Sequence, residues 1–300
     1  KKFDLKFSKT NAHNFISKIL SKKLKISFLF VSNNFRFGNK RKGNVKLLKN
    51  NQNFSNSKII DLIKSSSKTV LLTGAGISTE SGLPDFRSDN GFWTKNQPIQ
   101  FKEFLMDKEQ RRLSWLRNLE LHKLLANLSP NSGHKLVQRI VSLKKNNALI
   151  TQNIDGLHQK AGVKEDQIIE IHGNATKAAC LSCFKENSIE LFHDAVIKNL
   201  ELPPCEYCSG IVKVATISFG QPMNERDMIR ASDISIECDL MIVMGSSLKV
   251  MPAGKIPEQA RLSGAKLVIL NREKTLYDDI ADVVINDELK NICSTLNELL

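Results

Sequence analysis

Four cysteines are spaced in a way that could bind a metal ion. Cys180 and Cys183 form one C-x-x-C knuckle, and Cys205 and Cys208 form a second one, with 21 residues between the inner cysteines. Two such knuckles can supply four thiolates to one tetrahedral zinc ion. Because all four ligands are cysteines, no coordination position is left for a reacting water, so a zinc ion here is expected to be structural. The alternative is two separate pairs of redox-active or free thiols.

A strand followed by a glycine-rich turn is predicted near residue 74. The apolar run Val70–Thr73 stops at Gly74 and Gly76, and small polar residues follow. Glycine lets the backbone approach a ligand, and the N–H groups at a helix start attract a diphosphate. Thr79 stands where the third glycine of the dinucleotide fingerprint would be, so the turn alone leaves an ordinary strand-to-helix connection equally open.

The elements that must position these residues alternate along the chain. Short apolar runs predict buried strands at 69–73, 148–151, 168–171, 240–244, 266–270 and 282–285, and helices are predicted over 57–67, 101–127, 131–145 and 254–263. Such alternation indicates an α/β fold with a doubly wound parallel sheet. Between the predicted strand at 69–73 and the predicted helix over 101–127, residues 88–100 are expected to form a loop long enough to act as a lid.

Polar turns directly follow four of the predicted strands. They lie at 74–78, 152–155, 245–247 and 271–273. Ligands of doubly wound sheets bind beyond the carboxyl ends of the strands. We therefore expect these four turns to meet at one edge of the sheet.

Charge is distributed unevenly along the 300 residues. Residues 1–58 carry 15 Lys and Arg but one acid, Asp4, whereas the remainder carries 29 basic and 30 acidic residues. The body of the protein is therefore near neutral, and the net charge of +13 does not indicate a nucleic-acid-binding domain. No apolar stretch approaches the roughly 18 residues of a membrane span. Six cysteines are too few for a disulfide framework, which favours a reducing compartment.

The basic segment, residues 1–56, is rich in Lys, Asn and Ser and almost free of acids. This composition is typical of a disordered extension. It also fits an organelle-targeting segment, which would place the protein in mitochondria or another organelle matrix and otherwise leave it cytoplasmic. Arginine is scarce in the segment, which argues against targeting.

Taken together, the motifs resemble those of the sirtuins, the NAD-dependent protein deacylases, and most of all the bacterial and mitochondrial-type members. The resemblance covers about residues 57–297. The motifs are Gly74-Ala-Gly-Ile-Ser78, Gly82-Leu-Pro-Asp-Phe-Arg87, Thr151-Gln-Asn-Ile-Asp-Gly-Leu-His158, His172-Gly173, the two cysteine knuckles, Phe219-Gly220, Gly245-Ser-Ser-Leu248 and Asn271.

The resemblance implies a catalytic domain over 57–300, with a Rossmann-like sheet, a small zinc-binding lobe inserted at about 175–215, and NAD bound between them. It also implies roles for individual residues. His172, Asn153 and Asp155 would be catalytic. The residues implied to bind the cofactor are Gly74, Ala75, Gly76, Ser78, Asp85, Phe86, Arg87, Gln152, Asn153, Ile154, Asp155, Gly245, Ser246, Ser247, Asn271, Arg272 and Glu273.

The implied reaction begins when the acyl oxygen of a modified lysine attacks the ribose carbon that carries nicotinamide. His172 then removes a proton from a ribose hydroxyl, and the products are lysine, nicotinamide and O-acyl-ADP-ribose. An imidazole suits this step because its ordinary pKa of about 6.5 lies near working pH. Without the other motifs, His172 would be interpreted as a structural residue, and Arg87 as a solvated charge.

The implied partner is an acylated-lysine protein or peptide that adds a strand between two segments, with Phe219, Gly220, Leu248 and Val250 as contact residues. Backbone pairing of this kind gives affinity with little sequence preference. Ser114 and Arg117 occupy the place where members that prefer acidic acyl groups carry a Tyr and an Arg. We therefore expect a neutral acyl group, such as acetyl or a longer aliphatic chain.

Three other functions remain open at this stage. The same fold and cofactor could transfer ADP-ribose to a protein, or the chain could be a non-catalytic zinc and NAD binding module. A hydride-transferring dehydrogenase is the third, although the incomplete glycine fingerprint and the cysteine knuckles argue against it.

Overall fold

The computed structural model describes residues 5–24, 29, 31–32, 34–49, 52–83, 97–198 and 200–300. Within them the strands are β1 (Arg36–Phe37), β2 (Gly43–Asn44), β3 (Thr69–Thr73), β4 (Ala148–Thr151), β5 (Ile168–Glu170), β6 (Gly173–Cys180), β7 (Glu186–Asn187), β8 (Val212–Thr216), β9 (Leu240–Met244), β10 (Lys266–Leu270) and β11 (Val283–Ile285). The α-helices are Leu5–Ser8, Ala12–Asn14, Val45–Lys49, Gln52–Ser65, Phe101–Met106, Lys108–Ala126, Ser132–Ser142, Leu157–Lys160, Ile189–Ile197, Glu225–Glu237, Ile256–Leu262 and Leu289–Leu299, and a π-helix spans Phe15–Lys23.

A six-stranded sheet with the order β11-β10-β9-β3-β4-β5 forms the centre of the molecule. All of its neighbouring strands are parallel. Leu71 contributes to the apolar layer on one face, and Leu72 contributes to the layer on the other. Burial on both faces explains why these strands are continuous apolar runs rather than alternating patterns. The six predicted strands and the doubly wound α/β fold are confirmed.

The helix predicted over 101–127 is two helices that meet at Asp107. The Asp107 carboxylate caps the second helix, because it accepts hydrogen bonds from the N–H groups of Glu109 and Gln110 at 2.8 and 3.3 Å. An aspartate with this role satisfies N–H groups that have no partner within the helix. The prediction that residues 101–127 are mostly helical is confirmed, and the break at Asp107 within them was not predicted.

The segment after the first glycine turn also differs from its prediction. Gly74 is followed by two short 3₁₀ turns, Ala75–Ile77 and Thr79–Ser81, and not by the start of an α-helix. Gly82 then takes the left-handed conformation, with φ of +94°, which ends the helical course of the backbone.

A second, smaller core lies beside the sheet. Its centre is an antiparallel sheet with the order β7-β6-β8. Trp115 and Phe192, from two different helices, stack above it with ring centroids 4.3 Å apart. We call this unit, formed by residues 173–216 with the helix Lys108–Ala126 packed on it, the cysteine lobe.

The N-terminal segment contains a third, small cluster, in which Ala12, Ile16, Leu20, Phe37 and Leu48 are buried together. The sequence predicted a disordered extension here, whereas the structure describes short helices and the β1-β2 pair. Apolar residues on the π-helix provide the buried face. In the part of the chain that the structure describes, no helix is long and apolar enough to cross a membrane.

Candidate active site

The polar turns that follow β3, β4, β9 and β10 lie at one edge of the large sheet and contact each other through the backbone. The Gln152 N–H donates to the carbonyl of Thr73 at 2.9 Å. The N–H groups of Gly74 and Gly245 donate to the last residues of β9 and β10, at 3.1 and 3.0 Å. The sheet therefore brings together the turns that the sequence predicted to meet.

Glycines allow two of these turns to touch. Gly245 has φ of +64°, and a Cβ atom there would lie 2.4 Å from the backbone nitrogen of Ile77. A Cβ on Gly76 would lie 2.9 Å from the Gly245 carbonyl oxygen, which accepts the Gly76 N–H at the same distance. These glycines are thus required for contact between turns, a role that the sequence pattern did not reveal.

His172 lies in the two-residue junction between β5 of the large sheet and β6 of the cysteine lobe. Its Nδ1 lies 2.9 Å from the carbonyl oxygen of Gln152. A carbonyl can only accept a hydrogen bond, so Nδ1 carries the proton in the neutral ring and Nε2 carries the lone pair. The Gln152 side chain donates to the Ser246 hydroxyl at 3.0 Å, which links His172 to the turn after β9.

Asn153 and Asp155 are joined by Ser78, which comes from the glycine-rich turn. The Ser78 hydroxyl donates to one Asp155 oxygen at 2.7 Å and accepts from the Asn153 side-chain amide at 3.0 Å. The second Asp155 oxygen accepts the N–H of Leu157 at 2.9 Å. All three polar side chains are buried, so these hydrogen bonds fix their orientation in a medium of low polarity.

Two buried histidines that the sequence analysis did not place in the site lie behind this group. The rings of His134 and His158 have centroids 4.9 Å apart. His134 Nε2 is 3.4 Å from the Ser78 hydroxyl, and burial lowers the pKa of His134 to about 4, although the nearby Asp155 carboxylate acts in the opposite direction. Burial, with the nearby His134, also lowers the pKa of His158 well below its usual range. Both rings are therefore neutral at pH 7. The sequence contains no signal for His134 beyond its position near the start of the helix predicted over 131–145.

The turn after β10 is held by Asn271, a buried residue whose side-chain amide donates to the carbonyl of Glu273 at 2.7 Å. The charged side chains of Arg272 and Glu273 are exposed and lie 3.7 Å apart. Among the other residues predicted to bind the cofactor, Ala75, Ile154 and Ser247 are partly exposed in the turns that meet. Asp85, Phe86 and Arg87, like most of the predicted lid, lie outside the described residues.

The two segments predicted to contact a peptide flank His172 and Ser246. The Ile217 N–H donates to the His172 carbonyl at 2.9 Å, and Phe219, two residues later, accepts the Phe101 N–H at 2.8 Å. Phe219 and Gly220 are exposed, and Val250 is partly exposed. Leu248 is fully buried in the layer behind the sheet, so its backbone, and not its side chain, remains for contact with a peptide.

The four cysteines form one cluster. Cys180, Cys183, Cys205 and Cys208 have Sγ atoms that all lie within 4.8 Å of one another. Burial raises the pKa of the Cys180 thiol, but hydrogen bonds from the N–H groups of Cys183 and Ser182 and from the thiols of Cys208 and Cys183 together lower that pKa to about 6. Burial also acts to raise the pKa of the Cys205 thiol, but hydrogen bonds from nearby N–H groups and side chains outweigh burial and lower that pKa. Four convergent sulfurs, two of them favoured as thiolates, fit a tetrahedral structural zinc ion. This arrangement contradicts two separate thiol pairs.

Comparison with known proteins agrees with this geometry. The model of the Sir2 family matches residues 74–252. A relative from Rhodopseudomonas palustris, named NAD-dependent protein deacetylase, is 44% identical over 229 residues, which are 76% of this chain and 90% of the relative. The chain therefore belongs to the Sir2 family and is a bacterial-type sirtuin, as its motifs indicated.

Solved Sir2 structures share the fold. One described as Sir2 with a p53 peptide and NAD+ has a TM-score of 0.68 and 34% identity over 81% of this chain and 97% of its own. Another, described as Sir2 bound to acetylated peptide, also has a TM-score of 0.68, with 32% identity and the same coverage.

A different family model, described as FAD synthetase, matches residues 1–73. This match covers the basic segment together with the helix Gln52–Ser65 and β3. It ends where the Sir2 match begins. The organelle-targeting interpretation of the segment stays a prediction.

Proposed function

We propose that this protein is an NAD-dependent protein-lysine deacetylase. NAD supplies the ADP-ribose that accepts the acyl group, with nicotinamide as the leaving group. The observation that carries the proposal is the junction residue His172, whose Nδ1–H is committed to the Gln152 carbonyl at 2.9 Å beside the Asn153–Ser78–Asp155 group.

His172 would act as the general base. With Nδ1 protonated, Nε2 is the atom that can take a proton from a hydroxyl of the substrate. The positive charge that then develops on the ring is stabilised by the Gln152 carbonyl, which still accepts from Nδ1. The backbone is fixed on both sides of His172, because β5 before it is hydrogen-bonded into the large sheet and β6 after it is hydrogen-bonded into the small antiparallel sheet.

Asn153 and Asp155 would hold the nicotinamide and its ribose. Asn153 uses one amide hydrogen on Ser78, which orients its remaining amide hydrogen and its carbonyl oxygen. Asp155 is fixed by Ser78 and Leu157. Such hydrogen bonds place a polar group without a cost of reorganisation during the reaction.

A neutral acyl group is the substrate that the described residues favour. The Arg117 guanidinium donates to the Gln97 carbonyl at 2.7 Å, and Ser114 is the residue one turn before it on the same helix. Arg117 is thus already paired with the backbone, and Ser114 lacks the phenol that would assist an acidic acyl group. Acetyl-lysine should therefore be turned over faster than succinyl-lysine.

The acylated partner would bind as an extended strand between residues 217–220 and 247–250. Backbone pairing there would read little of the peptide sequence. We also propose that the near-neutral catalytic domain does not bind nucleic acid directly.

Mass spectrometry of products formed from NAD and a panel of acetyl-, succinyl- and myristoyl-lysine peptides tests the proposal. Soluble O-acyl-ADP-ribose with free lysine peptide is expected, and succinyl as the best substrate would overturn the acyl preference. Labelled NAD distinguishes transfer of ADP-ribose, because the label would then become bound to protein.

The matched variant is His172→Ala, for which we expect loss of acetyl transfer by roughly 10²- to 10⁴-fold. His193→Ala serves as the control, since His193 is exposed on the cysteine lobe. If His172→Ala left NAD- and peptide-dependent formation of nicotinamide and acetyl product unchanged, His172 would not be the general base. A wild-type protein that forms neither product would be a binding module and not this enzyme.

A further inference from the structure

A series of hydrogen bonds between buried residues, called the hydrogen-bond chain below, connects His158 to Asn153. His158 Nε2 lies 2.9 Å from the Thr73 hydroxyl, and the Thr73 hydroxyl lies 2.9 Å from the Thr151 hydroxyl. The Thr151 oxygen in turn accepts the backbone N–H of Asn153 at 3.0 Å. Each of these residues is buried, with 4% or less of its surface exposed. The chain crosses from the helix Leu157–Lys160 to the ends of β3 and β4.

The direction of the hydrogen bonds follows from the other ring nitrogen. His158 Nδ1 is buried and has no hydrogen-bond partner among the described residues. A buried N–H without a partner is rarer in proteins than an acceptor without one. The proton of the neutral ring therefore belongs on Nε2, which donates to Thr73, and Thr73 donates to Thr151.

We propose that His158 is a positioning residue that orients Asn153 through Thr73 and Thr151. The Nε2–H fixes the rotamer of the Thr73 hydroxyl, and this hydroxyl fixes the Thr151 oxygen that holds the Asn153 backbone. His158 does not itself reach the reacting atoms. The inference rests on the proposed function, since it assigns a purpose to the position of Asn153.

A packing role for the ring is the competing explanation. The His158 ring also lies against His134, so any smaller side chain would leave a cavity and destabilise the protein. The test must therefore separate the N–H donor from the volume of the ring.

Glutamine and methionine have similar length and volume, but only glutamine carries an N–H donor near the position of Nε2. We expect His158→Gln to retain acetyl transfer within a few-fold of the wild type. His158→Met should lower kcat by roughly 10- to 100-fold, because small displacements of a positioning residue have effects of that size. KM for the peptide should change less than 3-fold, since the segments proposed to bind the peptide, 217–220 and 247–250, are not part of the hydrogen-bond chain.

Thr73 is a second position at which a substitution can interrupt the same hydrogen-bond chain. Thr73→Val replaces the hydroxyl with a methyl group of the same shape, and Thr73→Ser keeps the hydroxyl. Thr73→Val should lower kcat as His158→Met does, Thr73→Ser should not, and the His158→Met, Thr73→Val double variant should be no slower than the worse single variant. These Thr73 variants decide the question if either His158 variant does not fold.

The inference is overturned if folded His158→Gln and His158→Met have equal kcat, or if Thr73→Val and Thr73→Ser do. Failure of the proposed function is a separate outcome. It would appear in the wild type, as absence of acetyl product from NAD and an acetyl-lysine peptide.

Discussion

The large sheet and the cysteine lobe hold polar residues in place by different forces. In the large sheet, each strand is buried between two apolar layers, and the polar turns are fixed because the strands beneath them cannot move. The lobe has one small core and a cluster of four sulfurs, and Cys180 of that cluster is at the opposite end of β6 from the junction with the large sheet at Gly173. Its stability is therefore expected to depend on the metal as well as on hydrophobic burial.

The comparison also explains the position of His172. The residue belongs to neither unit, because it lies between the end of β5 and the start of β6. Gly173, which follows it, has φ of +76°, and a Cβ there would lie 1.9 Å from the Ala215 carbonyl oxygen. A substitution that destabilises either unit should therefore also displace His172, through β5 if it lies in the large sheet and through β6 if it lies in the cysteine lobe.

The largest effect is expected from loss of the metal ligands. Cys180→Ser should abolish zinc binding, and because structural zinc contributes on the order of 10 kcal/mol in small domains, the lobe should not fold. Zinc content by atomic absorption and the acetyl-transfer rate would both fall to background. The control is Cys238→Ala, a buried cysteine outside the cluster, which should keep its zinc. Full activity of a zinc-free Cys180→Ser protein would contradict the role of the cluster.

A smaller effect is expected from the core of the large sheet. Leu71→Ala removes a fully buried side chain from β3 and should lower the free energy of unfolding by about 2–5 kcal/mol. Chemical denaturation measures the change, and zinc content should stay constant. Leu262, which is 82% exposed, provides the matched position, and Leu262→Ala should change stability by less than about 0.5 kcal/mol. A similar decrease in the free energy of unfolding in the two variants would mean that the apolar layers do not stabilise the sheet.

The buried polar group around Ser78, which includes His134, should be sensitive to acid. Since the folded pKa of His134 is about 4 and the unfolded value is about 6.5, the unfolded chain binds more protons between these values. Stability from neutral His134 is thus present above pH 6.5 and is lost as the pH falls towards 4, by about 2 kcal/mol at pH 5.

Urea denaturation at pH 7 and pH 5 checks the expectation for His134, and His134→Gln should show a smaller difference between the two pH values. His158 acts in the same direction, because its pKa is also lowered. A His134→Gln protein with the same loss on acidification as the wild type would assign that loss to other groups.

The smallest effect is expected at the turn where the two glycines meet. Gly245→Ala would place a Cβ 2.4 Å from the Ile77 nitrogen at a residue with positive φ, which costs of order 1–3 kcal/mol. We expect weaker NAD binding with unchanged zinc content. Gly264→Ala is the control, since φ there is also positive, at +100°, but nothing lies within 4 Å of the added Cβ. Equal NAD affinity in both variants would show that the turns need not touch.

Much of this could be predicted from the sequence. The apolar runs located all six strands of the large sheet, because strands buried on both faces leave an uninterrupted apolar signal. The cysteine spacing located the metal cluster, and the motif order identified the family. The break at Asp107 and the 3₁₀ turns after Gly74 were missed, since local capping and turn geometry compete closely with helix propensity over a few residues.

The sequence by itself determined which residue types are present at the ends of the strands and in the two knuckles. Only the tertiary structure decided that Gly245 contacts the glycine-rich turn, that Ser78 joins Asn153 to Asp155, and that His158 contacts the Thr73 hydroxyl. The physical reason is that these contacts join residues about 75 to 170 positions apart in the chain. Spacing along a sequence reports only neighbours within one element, whereas contacts between elements depend on how the layers pack.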